Sequence, residues 1–74
     1  MNELIALLRR EVGLEGDIGA DTPLLTSGLV DSFHLTVLLV TLESHYRVRI
    51  DPGDVGADNF DTATQMLAFV RGLR

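Results

Sequence analysis

The chain of 74 residues contains no cysteine and no lysine, and it has no long apolar run. The lack of cysteine excludes disulfide frameworks, thiolate metal sites and cysteine nucleophiles. Its basic residues number only 6 against 11 acidic ones, giving a net charge of −5. A surface of this charge excludes binding of a nucleic-acid backbone. The apolar run 4–8 is too short for a signal peptide or a membrane span. We therefore expect a cytoplasmic protein that does not bind membranes.

The length of the chain predicts a single domain over residues 1–74. With 46% hydrophobic residues the chain is too apolar to stay disordered. A domain of this size buries only about 60% of the surface that its unfolded chain exposes. A deep catalytic cleft is hard to build from so little buried surface. We expect a monomer without catalytic activity of its own.

Three segments carry the 3.6-residue apolar spacing of a helix. The first is capped by Asn2, ends at Gly13 and has a stripe that comprises Leu4, Ile5, Leu7, Leu8 and Val12. The second runs from Ser32 to about His45 without glycine or proline, and its stripe comprises Leu35, Leu38, Leu39, Leu42 and Tyr46. The third opens at Asp61 or Thr62, where Thr62 and Gln65 have the spacing of a capping box. It ends at Gly72, and its stripe comprises Ala63, Met66, Leu67 and Val70.

The connections between these helices differ in kind. Segment 13–31 is a long loop, which in a small domain is typical of a functional region, and Leu24, Leu25 and Leu29 are predicted to hold it on the core. Segment 47–50 alternates like a strand and is predicted to be an extended linker with Val48 and Ile50 turned inward. Segment 51–54 is predicted to be a turn, and 58–60 a short helical turn. Together these features predict an all-α fold, a small antiparallel four-helix bundle of three main helices plus one short helix.

The junction between the long loop and the second helix is the candidate site. Ser32 is predicted to be the first residue of that helix, where backbone N–H groups are unpaired and the helix dipole is positive. A phosphate attached to its hydroxyl is therefore well placed. The alternative is that Asp31 and Ser32 are ordinary capping residues, which stabilise a helix by about 1 kcal/mol.

Several motifs around this junction match one family. They are Leu24-Leu25 after a proline, Gly28-Leu29-Val30-Asp31-Ser32-Phe33, the leucine-rich helix that ends in Glu43, Ile50 followed by acidic residues, and Asp58-Asn59-Phe60-Asp61-Thr62. In this arrangement the chain resembles the acyl carrier protein family over nearly its whole length. Phe33 stands where leucine is commonest in that family. The resemblance implies that Ser32 receives 4′-phosphopantetheine, which a phosphopantetheinyl transferase takes from coenzyme A, with Asp31 beside the attachment point.

The resemblance also implies a function and its partners. The arm carries acyl or aminoacyl cargo as a thioester between a loading enzyme and downstream synthase, transferase or tailoring enzymes. The pathway expected is polyketide or non-ribosomal peptide biosynthesis, as for antibiotics, or a fatty-acid type of synthesis. The alternative is a non-catalytic helical module that binds a partner through a stripe of Phe33, Val37 and Val40.

A second stripe on the predicted second helix is the candidate partner surface. It comprises Phe33, Val37 and Val40, and Glu43 is expected to join it. Related carriers commonly place acidic residues along this helix, whereas this chain has Thr36 and Val37 there. This departure favours dedicated partners that dock through apolar contacts.

Three weaker patterns receive structural interpretations. His34 and His45 have no second metal ligand at a suitable spacing and are predicted to be exposed helical histidines. The acidic run 51–61 lacks the ligand pattern of a calcium loop, since glycine and valine occupy ligand positions. A serine hydrolase would need a Gly-x-Ser-x-Gly elbow, and the sequence has none.

Overall fold

The computed structural model describes residues 1–73, and the regular secondary structure over this range is entirely helical. The predicted all-α bundle of three main helices plus one short helix is confirmed. The elements are α1 (Asn2–Leu7), which continues as a π-helical segment (Leu8–Val12), then α2 (Ser32–Tyr46), a 3-10 turn (Pro52–Asp54), α3 (Ala57–Phe60) and α4 (Ala63–Leu73).

The first helix turns its apolar stripe toward the core as predicted, with Leu4, Leu7, Leu8 and Val12 all buried. The predicted cap was wrong. Asn2 is already helical, and the cap position belongs to Met1, whose carbonyl accepts the Ile5 N–H. Gly13 ends the helical segment as predicted, with a φ of 86° that suits glycine.

The second helix is the longest element and lies against the core. Leu38 and Leu42 are fully buried, and Leu35, Leu39 and Tyr46 are half-buried beside them. The Glu3 carboxylate lies 2.8 Å from the His45 ring. This contact places the N-terminus of α1 next to the C-terminus of α2. The two helices are therefore antiparallel.

The last helix begins with the predicted capping box. The Thr62 hydroxyl accepts the Gln65 N–H at 3.1 Å, and the Gln65 side-chain oxygen accepts the Thr62 N–H at 3.0 Å. The predicted end at Gly72 was one residue short, since α4 continues to Leu73. The helix α4 contributes Ala63, Met66 and Val70 to the core, and Phe60 at the end of α3 is buried as well.

The long loop lies on the core through only part of the predicted set. Leu24 is fully buried and Leu25 half-buried, but the prediction for Leu29 was wrong, since its side chain is 43% exposed. Gly28 has a φ of 83°, and this left-handed turn directs Leu29 outward and Val30 into the core. The linker after α2 behaves as predicted: Ile50 is buried and Val48 packs half-buried against the same core.

Candidate functional site

Ser32 is the first residue of α2 and is exposed to solvent. The residue before it, Asp31, is in extended backbone conformation, so the chain changes direction just before the serine. The N–H groups of Ser32 and Phe33 belong to the first helical turn, which has no partner for them within the helix. A nucleophilic hydroxyl and the positive end of a helix dipole therefore lie at one accessible point.

Asp31 caps α2, as one of the two sequence interpretations predicts. Its carboxylate oxygen Oδ1 accepts the backbone N–H of His34 at 2.8 Å and lies 2.8 Å from the Nδ1 atom of the same residue. The His34 backbone N–H, followed by its ring, holds the pKa of Asp31 below its ordinary value. The carboxylate beside Ser32 is therefore charged and is held in place by a side chain one turn further along the helix.

The loop before Ser32 is anchored by a residue that is distant in the sequence. Asp61, between α3 and α4, accepts the N–H groups of Leu24, Leu25 and Thr26 with its Oδ1 atom, at 3.2, 2.9 and 2.9 Å. The Thr26 hydroxyl donates to Oδ2 at 3.0 Å. These hydrogen bonds lower the pKa of Asp61, and the bond from the Thr26 backbone N–H has the largest effect. This role of Asp61 was not predicted from the sequence, because the partners lie 35 to 37 positions apart and no local pattern connects them.

The predicted partner stripe lies mostly in solvent. Phe33 is 72% exposed and Val40 is 60% exposed, whereas Val37 is half-buried against the core. Leu29 of the loop is also exposed, so apolar side chains lie in the chain on both sides of Ser32. Val40 further borders a groove of about 360 Å³ that α2 forms with α1 and the π-helical segment.

Glu43, predicted to join the partner surface, makes a contact within the domain. Its Oε2 atom accepts the backbone N–H of Ile50 at 2.8 Å, and its side chain is half-buried. This bond ties the end of α2 to the linker that follows it. The geometry therefore gives Glu43 a structural task in addition to any contact with a partner.

Each of the two histidines contacts a single carboxylate in the described residues 1–73. His45 contacts Glu3, and His34 contacts Asp31 rather than the Ser32 hydroxyl. His34 is half-buried, not exposed as predicted, because its ring leans on the capping carboxylate and on the edge of Phe33. In the described part of the chain no group of three acidic or histidine side chains is placed to hold a metal ion.

The surroundings of Ser32 suit a bulky phosphate ester. The serine is exposed, and the helix N-terminus favours a negative charge. Asp31 precedes the serine in the chain, and the contacts of its carboxylate with His34 offset part of its repulsion of a phosphate. The residues present therefore fit a phosphate-linked prosthetic group.

Comparison with known proteins assigns the family. The family model described as "Phosphopantetheine attachment site" matches residues 2–70. In an alignment of 72 residues that covers 95% of this chain, it is 39% identical to the lincomycin biosynthesis protein LmbN of Streptomyces lincolnensis. The chain spans only 26% of that relative's length. No solved structure matches the chain.

The chain thus belongs to the phosphopantetheine attachment family, to which acyl and peptidyl carrier proteins belong. Domains of this family carry a covalently attached 4′-phosphopantetheine and have no catalytic activity of their own. A carrier of this kind interacts with the enzyme that modifies it and with synthase enzymes. Within residues 1–73 no helix is both long and apolar enough to span a bilayer.

Proposed function

We propose that Ser32 is the attachment point of the phosphopantetheine arm. The observation that carries this proposal is the exposed Ser32 hydroxyl at the positive N-terminus of α2, inside the region that the family model matches. The chain has two other serines, and neither offers this setting. The Ser27 hydroxyl donates to the Pro23 carbonyl at 2.6 Å, and Ser44 lies in the last turns of α2.

The residues around Ser32 bind and orient rather than react. In the attachment reaction the Ser32 oxygen would bond to the phosphorus that carries the pantetheine of coenzyme A, and the bond from that phosphorus to the nucleotide's phosphate would break. The nucleotide would leave, and a base of the transferase would take the hydroxyl proton. The unpaired first-turn N–H groups would hold the phosphate, and Asp31 caps the start of the helix through its bond to the His34 N–H. When bound, the group supplies a thiol that holds cargo as a thioester.

The decisive experiment is intact-protein mass spectrometry after incubation with coenzyme A, magnesium and a broad-specificity phosphopantetheinyl transferase. We expect the parent to gain one phosphopantetheine and Ser32→Ala to gain none. Ser44→Ala is the matched control, since it removes an exposed hydroxyl from the same helix and should still be modified. Modification of Ser32→Ala, or no modification of the parent by several transferases, would refute the proposal.

We further propose that the carrier serves a dedicated biosynthetic pathway, with acyl or aminoacyl cargo. Support comes from the similarity to LmbN, which is a lincomycin biosynthesis protein. Within this proposal the pathway is of the polyketide or non-ribosomal peptide kind, and a loading enzyme and tailoring enzymes are the partners. The test is to offer the modified carrier to the pathway's loading enzyme with acyl and amino acid substrates and to identify the thioester by mass.

The partner surface that we propose consists of Phe33, Val37 and Val40, with Asp31 at its edge. The segment 32–42 contains no charged residue, so docking there relies on apolar contact. Burial of the exposed Phe33 ring stabilises a complex by about 1.5–3 kcal/mol. We therefore expect Phe33→Ala to raise the KM of the transferase for the carrier by about tenfold or more, with kcat nearly unchanged.

The control for this surface is Leu73→Ala, which removes an apolar side chain of 43% exposure at the far end of α4. Its KM should match that of the parent. If Phe33→Ala also leaves KM unchanged, or if KM rises sharply with salt in the parent, the apolar docking surface is wrong. If Ser32→Ala keeps full biological activity, the alternative of a helical interaction module is favoured instead.

A further inference from the structure

The side chain of Asp61 collects four donors from the loop that leads to Ser32. Three are the consecutive backbone N–H groups of residues 24–26, and the fourth is the Thr26 hydroxyl. In addition, the backbone carbonyl of Asp61 accepts the Leu24 N–H at 2.7 Å. Consecutive N–H groups that converge on one carboxylate form an anion-binding concavity of the kind that an N-cap residue fills within its own helix. Here the carboxylate comes from a distant part of the chain.

The segment held by Asp61 is closely connected to the serine. The turn from Leu25 to Gly28 is closed by a backbone bond of 3.2 Å, and the Val30 N–H returns to the Leu24 carbonyl at 3.0 Å. Val30 is buried and is followed directly by Asp31 and Ser32. The position of residues 24–26 thus sets the course of the chain up to the start of α2.

The other cross-link of this loop lies further from the serine. The N–H and the hydroxyl of Thr64 both donate to the carbonyl of Ala20, at 3.0 and 3.1 Å. This contact holds the middle of the loop, whereas Asp61 holds the stretch that begins at Leu24. The backbone N–H of Asp61 donates to the side-chain oxygen of Gln65 at 2.9 Å. This bond ties the backbone of Asp61 to the first turn of α4.

We propose that Asp61 is a positioning residue for the reactions at Ser32, because its carboxylate fixes the loop that presents the serine. This proposal rests on the assignment of Ser32 as the attachment point. Without the carboxylate the loop samples other arrangements, and only a fraction of the molecules present Ser32 as the transferase requires. The apparent affinity of an enzyme falls in proportion to that fraction, whereas the rate of the bound complex does not.

The test compares Asp61→Asn with Asp58→Asn. Both remove one negative charge from neighbouring positions, but Asp58 is exposed and its carboxylate accepts no hydrogen bond among the described residues. We expect Asp61→Asn to lose about tenfold or more of the hydrogen-exchange protection of the Leu25 and Thr26 amides. We also expect its transferase KM for the carrier to rise about fivefold with kcat within about twofold of the parent. Asp58→Asn should match the parent in all three quantities.

A second variant keeps the test valid if Asp61→Asn does not fold. Thr26→Val removes only the hydroxyl donor and should shift exchange and KM in the same direction, by about two- to threefold. Unchanged exchange and unchanged KM in a folded Asp61→Asn would overturn the proposal, as would a fall in kcat with KM constant. Exchange is measured on the unmodified protein, so it tests the anchor even if Ser32 of the parent is never modified.

Discussion

Leu24 is the side chain on which the loop depends, and its removal gives the sharpest test of how the site is held. The side chain is fully buried, and its backbone bonds to Asp61 and Val30. Leu24→Ala removes three carbon groups, which at about 0.8 kcal/mol each corresponds to about 2.4 kcal/mol of lost burial. The cavity that remains raises the expected loss in the free energy of unfolding to about 3–4 kcal/mol.

This loss is large for the domain. At about 0.05–0.15 kcal/mol per residue, a domain of this length has a total stability of roughly 4–11 kcal/mol. For domains of this size, each kcal/mol shifts the melting temperature by about 4–8 °C, so Leu24→Ala should lower Tm by roughly 12–32 °C. Urea unfolding followed by circular dichroism measures the free energy of unfolding, and the urea midpoint should fall while the slope stays constant. A thermal melt followed by the same signal measures Tm.

The matched control is Leu29→Ala in the same loop. Since 43% of the Leu29 side chain is exposed, its truncation should cost less than about 1 kcal/mol. Equal effects of the two variants would contradict the assignment of Leu24 as the inner contact and Leu29 as the outer one. A small effect of Leu24→Ala, below about 1 kcal/mol, would show that the loop is not held on the core by this residue.

Two further predictions concern the same loop. Gly28→Ala meets no atom within 4 Å but must adopt a φ of 83°, so it should cost about 1–2 kcal/mol in urea unfolding, and a stabilised variant would contradict the left-handed turn. The lowered pKa of Asp61 makes its contribution fully present above about pH 4 and lost as the pH falls through the lowered folded-state value. In urea midpoints measured against pH, Asp61→Asn should therefore flatten the acid limb, and a parent and variant that lose stability in parallel would contradict this assignment.

Local patterns in the sequence were enough to predict most of the framework. The stripe of α2, the capping box of Thr62 and Gln65, and the cap supplied by Asp31 each involve residues a few positions apart. Such contacts form inside one helix, so spacing alone specifies them. The inward position of Ile50 was also predicted from strand-like alternation in a short linker.

Contacts between distant segments were not predictable in this way. The bonds of Asp61 to the loop and of Glu3 to His45 join residues more than 30 positions apart, and a carboxylate in a turn looks the same in sequence whether it meets solvent or three N–H groups. Leu29 shows a related limit. In a loop with several leucines the one that faces outward is decided by the backbone turn at Gly28, which the residue types do not specify.

The way in which the site is held explains how so small a domain can present a reactive serine. A deep pocket would need more buried surface than a chain of 74 residues supplies. The loop is instead held by the burial of Leu24 in the core and by its hydrogen bonds to the carboxylate of Asp61. Ser32 and Phe33 remain exposed to solvent. A group attached at an exposed point with a rigid base remains accessible to several enzymes in turn. The acidic residues lie mostly outside the first three turns of α2, which are uncharged. This distribution supports our proposal that partners dock beside the serine through apolar contact rather than through charge.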